Sequence, residues 1–245
     1  MLAPPAPDLV ARSALSAFLL PSAEVPVEPA LAVRTSVCTE QPPQEKLIRG
    51  SYLVSPGMEL QEKERRRALH RAAIEYRTRE YGFIEGFGEP SWNRLEPKHY
   101  AKSGTFFGIG VRMNNRVLTA LGCVEEAIKA ECEDTPYVPE VLDGLRAKNT
   151  FHNDEVSNHL YGIAIDIDPN KNSCCGCVAP LSEWPRCKVP VSSPFERTTI
   201  PKCWVDSFER YGFYWLGHDV LEDTMHFEFL GDPDKIVKPK DVAQN

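Results

Sequence analysis

The sequence lacks three features that would place it in common classes of protein. No apolar run approaches the ~20 residues of a membrane-spanning helix, so we expect no transmembrane segment. Positive charge is not in excess, because 28 basic residues stand against 35 acidic ones and the net charge is −7. Since phosphate binding needs clustered Lys and Arg, this balance argues against nucleic-acid partners. Phosphate-binding glycine loops, a Gly-x-Ser-x-Gly elbow and His-Glu-x-x-His are absent as well.

Glycine is missing from residues 1–49, where prolines recur instead. Because proline interrupts helices and central strands, we predict that this segment is an extended tail. Inside it, the apolar run Ala14–Leu20 follows Arg12 and precedes Pro-Ser-Ala23, as in the core and cleavage site of a secretory signal. Only Arg12 supplies positive charge before the run, and the run is short, so the sequence alone does not decide whether this segment is a signal.

Hydrophobic periodicity predicts helices first and strands later. One helix covers 58–81 and stops at Gly82, a second is capped by Asn114 or Asn115, and a third starts at Pro201. Two later segments alternate with the period of a strand: 162–168 and 225–229. This order predicts an α+β fold with helices packed on a small, mainly antiparallel sheet.

These elements are expected to form one domain over residues 50–235, followed by a C-terminal tail at 236–245. Hydrophobic residues make up 42% of the chain, which is enough to bury a core. Residues 169–200 are rich in Pro, Ser and Cys and show little periodicity. We therefore expect them to form a cysteine-rich insert between two core elements.

The two predicted strands have unusual polar faces. Asp166 lies opposite the isoleucines of the first strand, and His226 and Glu228 lie opposite the apolar residues of the second. With His159, just before the first strand, Asp166 and His226 form the two-imidazole, one-carboxylate set that often holds a catalytic zinc ion. On spacing alone, a chance arrangement of ordinary core or surface residues stays an alternative.

The residues around these positions resemble a known family. The stretches are Ser157-Asn-His-Leu-Tyr-Gly-Ile-Ala-Ile-Asp166, Tyr211-Gly-Phe-Tyr-Trp215 and Asp223-Thr-Met-His-Phe-Glu228. They are similar to zinc peptidases that include D-alanyl-D-alanine carboxypeptidases of the vancomycin-resistance type and phage L-alanyl-D-glutamate endolysins. The family pattern is Ser-x-His, six residues, Asp, then an acid, two residues and His. The resemblance is specific over 146–231, weakens over 58–132, and leaves residues 1–50 and the insert uncovered.

This resemblance implies a hedgehog/DD-peptidase-like fold and one catalytic zinc ion bound by His159, Asp166 and His226. It implies that Asp223 is the general base, which then protonates the leaving amine. An Asp at this position is more like the endolysin branch. Glu228 would orient the His226 imidazole, or would be a plain surface acid.

The resemblance also implies two kinds of substrate contact. Ser157 corresponds to the family serine that touches the substrate. An arginine holds a substrate carboxylate in the family, a task that suits its planar two-pronged cation. Arg146 is the candidate here, with Arg112 and Arg116 as fallbacks.

The function implied is a monomeric zinc peptidase that hydrolyses peptidoglycan stem peptides or muropeptides. The bond would lie next to a D-amino acid, either L-alanyl-D-glutamate or terminal D-alanyl-D-alanine. One alternative is a non-catalytic, zinc-containing module of the same fold that binds the cell wall. Another is a disulfide-bonded structural protein without metal.

Eight cysteines are many for a chain of this length. A cluster in and just after the insert would make either disulfides or a second, thiolate zinc site: Cys174, Cys175, Cys177, Cys187 and Cys203. Disulfides are favoured, because adjacent cysteines are poor zinc spacing, and they indicate a secreted or periplasmic protein of the cell envelope. Cys123 and Cys132 would bridge only if the second helix ended between them, since helical rise separates them by ~13 Å.

Overall fold

The computed structural model describes residues 36–151 and 155–239. The predicted signal segment lies outside these residues. The chain divides after Arg34, and the described residues all belong to the second unit, Thr35–Asn245.

The described residues form four α-helices, of which the last three lie close to the predicted positions and the first, a single turn, was not predicted. They are α1 (Arg49–Tyr52), α2 (Leu60–Tyr81), α3 (Asn115–Glu131) and α4 (Lys202–Arg210). The Asn114 side chain accepts a hydrogen bond from the Arg116 backbone N–H and so caps α3. Pro201 is the residue before α4 rather than its first helical position, a difference of one residue. Short 3-10 turns lie at Glu45–Leu47, Pro97–His99, Leu181–Glu183, Pro185–Lys188, Pro194–Arg197 and Leu216–His218.

The strands pair in an antiparallel manner throughout the described residues. They are β1 (Ser36–Cys38), β2 (Ala101–Phe106), β3 (Ile109–Asn114), β4 (Leu142–Asp143), β5 (Ala164–Ile167), β6 (Phe213–Trp215), β7 (His226–Phe229) and β8 (Val237–Pro239). The order β4-β5-β7-β6 forms a four-stranded sheet, β2 and β3 form a hairpin, and β1 pairs with β8. The predicted α+β class with a small antiparallel sheet is therefore confirmed.

The core lies between this sheet and the helices α3 and α4. The Phe208 ring of α4 stacks on the Phe227 ring of β7, with 4.2 Å between ring centroids. Every residue of β5 and β7 is buried, on both faces of the sheet. The face of the sheet opposite Phe227 is therefore also buried, and it carries polar side chains.

Both ends of the predicted domain need correction. Residues 36–49 were assigned to a tail, yet β1 pairs with β8, Cys38 is bonded to Cys123 of α3, and Leu47 is only 2% exposed. Ile236 is buried as well, so the predicted C-terminal tail is wrong at least as far as Pro239. Proline prevents helices and central strands here, but it does not prevent an edge strand or a disulfide.

All eight cysteines form disulfides: Cys38–Cys123, Cys132–Cys203, Cys174–Cys177 and Cys175–Cys187. The thiolate zinc site is therefore excluded for this state, and the predicted disulfides are confirmed. Cys123 and Cys132 do not bridge each other, because α3 does not end between them but continues through Glu131, and each cysteine has a partner elsewhere. In the described part of the chain, no helix has the length and apolar character needed to cross a membrane.

Candidate metal centre and catalytic site

Three predicted ligands meet at the polar face of β5 and β7. Asp166 and His226 are direct cross-strand partners in this antiparallel pair. His159 lies on the turn that precedes β5, and its ring faces that of His226 with 4.8 Å between centroids. All three residues are buried. Two imidazoles and a carboxylate thus share a small interior space.

The three facing atoms form a nearly equilateral triangle. His159 Nε2 lies 3.2 Å from Asp166 Oδ1 and 3.1 Å from His226 Nδ1, and His226 Nδ1 lies 2.8 Å from Asp166 Oδ1. Tetrahedral zinc with bonds of about 2.0–2.1 Å places its ligand atoms about 3.3 Å apart. The donor set and its spacing therefore fit zinc with the fourth position left for water or substrate.

Hydrogen bonds behind each imidazole orient its free nitrogen toward the centre. His159 Nδ1 lies 2.6 Å from the Gly144 carbonyl oxygen, so an Nδ1–H donates there and leaves Nε2 for a metal. A Cβ at Gly144 would lie 2.4 Å from the Arg112 carbonyl oxygen, which explains the glycine. His226 Nε2 lies 3.4 Å from Glu228, leaving Nδ1 for a metal.

Glu228 lies inside the protein rather than on its surface. Its carboxylate accepts a 2.6 Å hydrogen bond from Asn158 Nδ2 and contacts the outer nitrogen of His226. Burial opposes ionisation, but His226 nevertheless lowers the pKa of Glu228. The predicted orienting partner of the imidazole is therefore in contact with it.

The electrostatics of the cluster favour a bound cation. Burial opposes charge on all of these groups, yet the two imidazoles hold the pKa of Asp166 well below its usual range. Against the same burial, hydrogen bonds to Asp166 and Glu228 raise the pKa of His226 to about 10. A metal ion would take the place of that ring proton, so binding would release it.

Asp223 lies on the segment that leads into β7. Its Oδ1 atom is buried and has no hydrogen-bond partner among the described residues. Burial, reinforced by the charge of Asp166, raises the pKa of Asp223 to about 7. A general base needs a carboxylate oxygen that is free to accept a proton from water. The buried Oδ1 atom of Asp223, near the candidate ligands, meets this requirement.

Arg146 and Ser157 are both at the site, but they make contacts within the protein. The Arg146 guanidinium donates to Asp143 at 2.6 Å and also bonds Asp166. Ser157 is 1% exposed, and its Oγ accepts a hydrogen bond from the His159 backbone N–H. Arg116, a fallback for carboxylate binding, is occupied by ion pairs with Glu80 and Asp234.

A groove of about 880 Å³ is lined by Arg146, which bonds Asp166, and by Leu160, which follows His159 in the chain; the three candidate ligands are not among its lining residues. Arg94, Lys98 and Arg112 also line it, together with Glu85, Glu96 and several aromatic and aliphatic side chains, and Lys98 is ion-paired with Glu96 at 2.6 Å. Within the described residues, the Arg94 and Arg112 side chains have no hydrogen-bond or ion-pair partner. Sequence reasoning missed Arg94 and Lys98, because only the folded chain brings them beside Arg146.

The comparisons with known proteins agree with this geometry over part of the chain. Residues 151–229 match the family model described as D-alanyl-D-alanine carboxypeptidase, and the match includes the three candidate ligands and Asp223. This segment is therefore similar to a peptidase family. No curated protein and no solved structure matches the chain.

Proposed function

We propose that the protein is a zinc peptidase that hydrolyses peptidoglycan stem peptides next to a D-amino acid. The observation that carries the proposal is the buried donor triangle of His159, Asp166 and His226, with the unpartnered oxygen of Asp223 beside it. The family match over 151–229 supports a peptidase of the D-alanyl-D-alanine carboxypeptidase kind. Four disulfides support an extracytoplasmic location, where cell-wall peptides are found.

Each residue of the site has a separate role in the proposed reaction. When bound, zinc supplies a Lewis acid that polarises the scissile carbonyl and lowers the pKa of water. Asp223 accepts the proton of the attacking water at its free carboxylate oxygen and passes it to the leaving amine nitrogen. Glu228 keeps the His226 ring in its ligating orientation.

The groove supports an acidic peptide as the substrate. The chain carries a net charge of −7, yet the groove is lined by four basic residues, Arg94, Lys98, Arg112 and Arg146, against two acidic ones, Glu85 and Glu96. Stem peptides carry free carboxylates at D-glutamate and at the chain end, and guanidinium groups bind carboxylates with two parallel hydrogen bonds. Arg112, which is exposed and has no hydrogen-bond or ion-pair partner among the described residues, and Arg146 are the candidates for this contact.

Digestion of purified muropeptides, followed by mass spectrometry, tests the proposal. We expect new fragments that end at an L-alanyl-D-glutamate or a D-alanyl-D-alanine bond, and their masses identify which bond is cut. Chelation and His159→Ala should both abolish these fragments. Zinc-loaded protein that binds muropeptides without cutting them would instead indicate a wall-binding module.

A further inference from the structure

The cysteine-rich insert forms a short antiparallel contact with the segment that carries Asp223. The Thr224 backbone N–H donates to the Ser173 carbonyl oxygen at 2.8 Å, and the Gly176 N–H donates to the Leu221 carbonyl oxygen at 2.6 Å. The Thr224 hydroxyl donates to the same Ser173 oxygen at 2.9 Å. The backbone around Asp223 is thus paired with the insert loop 173–177.

The sulfur atoms of this loop lie against the Asp223 carboxylate. Cys174 and Cys177 form a disulfide, and both Sγ atoms lie within 4.8 Å of an Asp223 carboxylate oxygen. Cys174 is completely buried. At Gly176 a Cβ would lie 2.5 Å from the Val220 carbonyl oxygen, so only glycine allows the loop to approach this closely.

Two further contacts fix the loop to the rest of the insert. The Cys175–Cys187 disulfide joins it to the 3-10 turn at Pro185–Lys188. The buried Asn172 side chain donates to the Ile167 carbonyl oxygen and accepts from Thr198 and Thr199. The two ends of the insert are therefore joined by the Asn172 hydrogen bonds, and its loop 173–177 is hydrogen-bonded to the Asp223 segment.

We propose that the loop 173–177, closed by the Cys174–Cys177 disulfide, is a positioning element for Asp223. Its backbone fixes the segment that carries the carboxylate, and its two bonded sulfur atoms, which lie within 4.8 Å of one Asp223 carboxylate oxygen, bring no hydrogen-bond donor to that carboxylate. Cys174 and Cys177 are positioning residues, because they act through Asp223. This inference rests on the proposed function, in which Asp223 is the general base.

The sequence separations of the disulfides make the proposal testable. Cys174 and Cys177 are 3 residues apart, whereas Cys132 and Cys203 are 71 apart. Since a disulfide stabilises chiefly by restricting the unfolded chain, the short bridge contributes less to stability than the long one. If the loop positions Asp223, removal of the short Cys174–Cys177 bridge should lower kcat more than removal of the long Cys132–Cys203 bridge, although it should lower the stability less.

The experiment compares the double variants C174A/C177A and C132A/C203A. Alanine is chosen because two free thiols beside the Asp223 carboxylate would form a three-donor metal site. For C174A/C177A we expect one zinc per chain, an unchanged KM, a kcat lowered about 10-fold and a Tm lowered by about 5 °C or less. For C132A/C203A we expect a Tm lowered by about 5–15 °C and an unchanged kcat below that transition.

Amide hydrogen exchange provides a readout that does not need turnover. Exchange at Thr224 and Gly176 should accelerate in C174A/C177A and should stay slow in C132A/C203A. If wild-type protein proves inactive, the proposed function fails, while this exchange result still decides whether the loop holds the Asp223 segment. Wild-type kcat and wild-type exchange in C174A/C177A would overturn the inference, as would an equal loss of kcat in both variants.

A third variant serves if C174A/C177A does not fold. Thr224→Val removes the hydroxyl bond to Ser173 and keeps all four disulfides. We expect a smaller loss of kcat, about 3-fold, with zinc retained, in keeping with the loss of one hydrogen bond. An unchanged kcat in this variant would contradict the proposed coupling.

Discussion

The candidate metal ligands and Asp223 are neighbours in space, but different parts of the chain hold them. His159, Asp166 and His226 lie on or next to core strands, and every one of them has a hydrogen-bond partner behind or beside it. Asp223 lies outside the strands, and the backbone around it is paired with a disulfide-closed loop. Its free oxygen has no partner among the described residues.

The difference agrees with the role proposed for each group. Metal ligands need fixed tautomers and fixed positions, which strands and second hydrogen bonds supply. A general base must keep an oxygen free for a proton, so direct hydrogen bonds to that oxygen would oppose its role. The paired backbone and the nearby sulfur atoms hold the Asp223 segment in place without a hydrogen bond to the free carboxylate oxygen. The following predictions separate the two kinds of support.

The largest effect is expected from removal of a ligand. His226→Ala leaves two protein ligands, too few for a catalytic zinc site, so we expect loss of zinc and hydrolysis at background level. Metal analysis and a muropeptide assay on the same sample measure both. His218→Ala is the control, because His218 pairs with Glu209 at the surface and should leave both values unchanged. Full zinc content in His226→Ala would remove His226 from the ligand set.

The next effect separates Asp223 from the ligands. Asp223→Asn should lower kcat roughly 10²–10⁴-fold, the usual contribution of a general base, while zinc stays bound. Zinc titration and steady-state kinetics measure the two properties independently. Loss of zinc together with activity would show that Asp223 belongs to the ligand cluster and would contradict its separate role as general base.

A smaller effect is expected behind the cluster. Glu228→Gln weakens the contact that orients His226, so zinc affinity should fall roughly 10–100-fold. Competition with a chromophoric chelator measures this affinity. Glu209→Gln alters the exposed pair with His218 and is the matched control. Equal affinities for the two variants would show that Glu228 does not support the imidazole.

The smallest effect on the site is expected at Asp168, two residues beyond Asp166. Its buried carboxylate accepts hydrogen bonds from the Tyr137 hydroxyl and from the backbone N–H groups of Glu140 and Val141. Although burial opposes this, these bonds lower its pKa below the usual 3.8. Asp168→Asn should cost about 1.5–3 kcal/mol of unfolding free energy and leave zinc affinity unchanged.

The pH dependence at Asp168 has a definite sign. Because its folded pKa is lower than its unfolded pKa, its contribution to stability is present above about pH 4 and is lost as the pH falls through the folded pKa. Denaturant unfolding at pH 7 and at acid pH should therefore show a difference between wild type and Asp168→Asn that shrinks on acidification. A constant difference would mean that the carboxylate charge is not what stabilises this turn.

The sequence was informative where structure is local. Alternation along 162–168 and 225–229 indicated the strands, and α2 ends at Tyr81 before Gly82, as its stop signal predicted. That the candidate ligands lie together could also be predicted, because two adjacent antiparallel strands place Asp166 opposite His226. These features depend on the side-chain period and on short motifs.

The sequence was uninformative where the structure depends on distant pairing. Cys38 and Cys123 are 85 residues apart, and the bond between Ser173 and Thr224 joins segments 51 residues apart. No local pattern encodes such contacts, so the ends of the domain, the disulfide pairs and the support of Asp223 appeared only in the fold. The hairpin of β2 and β3 was missed because β2 carries few apolar residues, although Ile109, Val111 and Met113 do alternate with glycine and polar residues along β3.

X-ray absorption at the zinc edge of the zinc-loaded protein identifies the atoms that bind the metal. We expect one zinc ion with two imidazole nitrogens and oxygen ligands at about 2.0–2.2 Å. The His159→Ala variant should lose this signal. Sulfur ligands at about 2.3 Å, as cysteines would give, or protein that binds no zinc, would contradict the assignment of His159, Asp166 and His226 as the metal site.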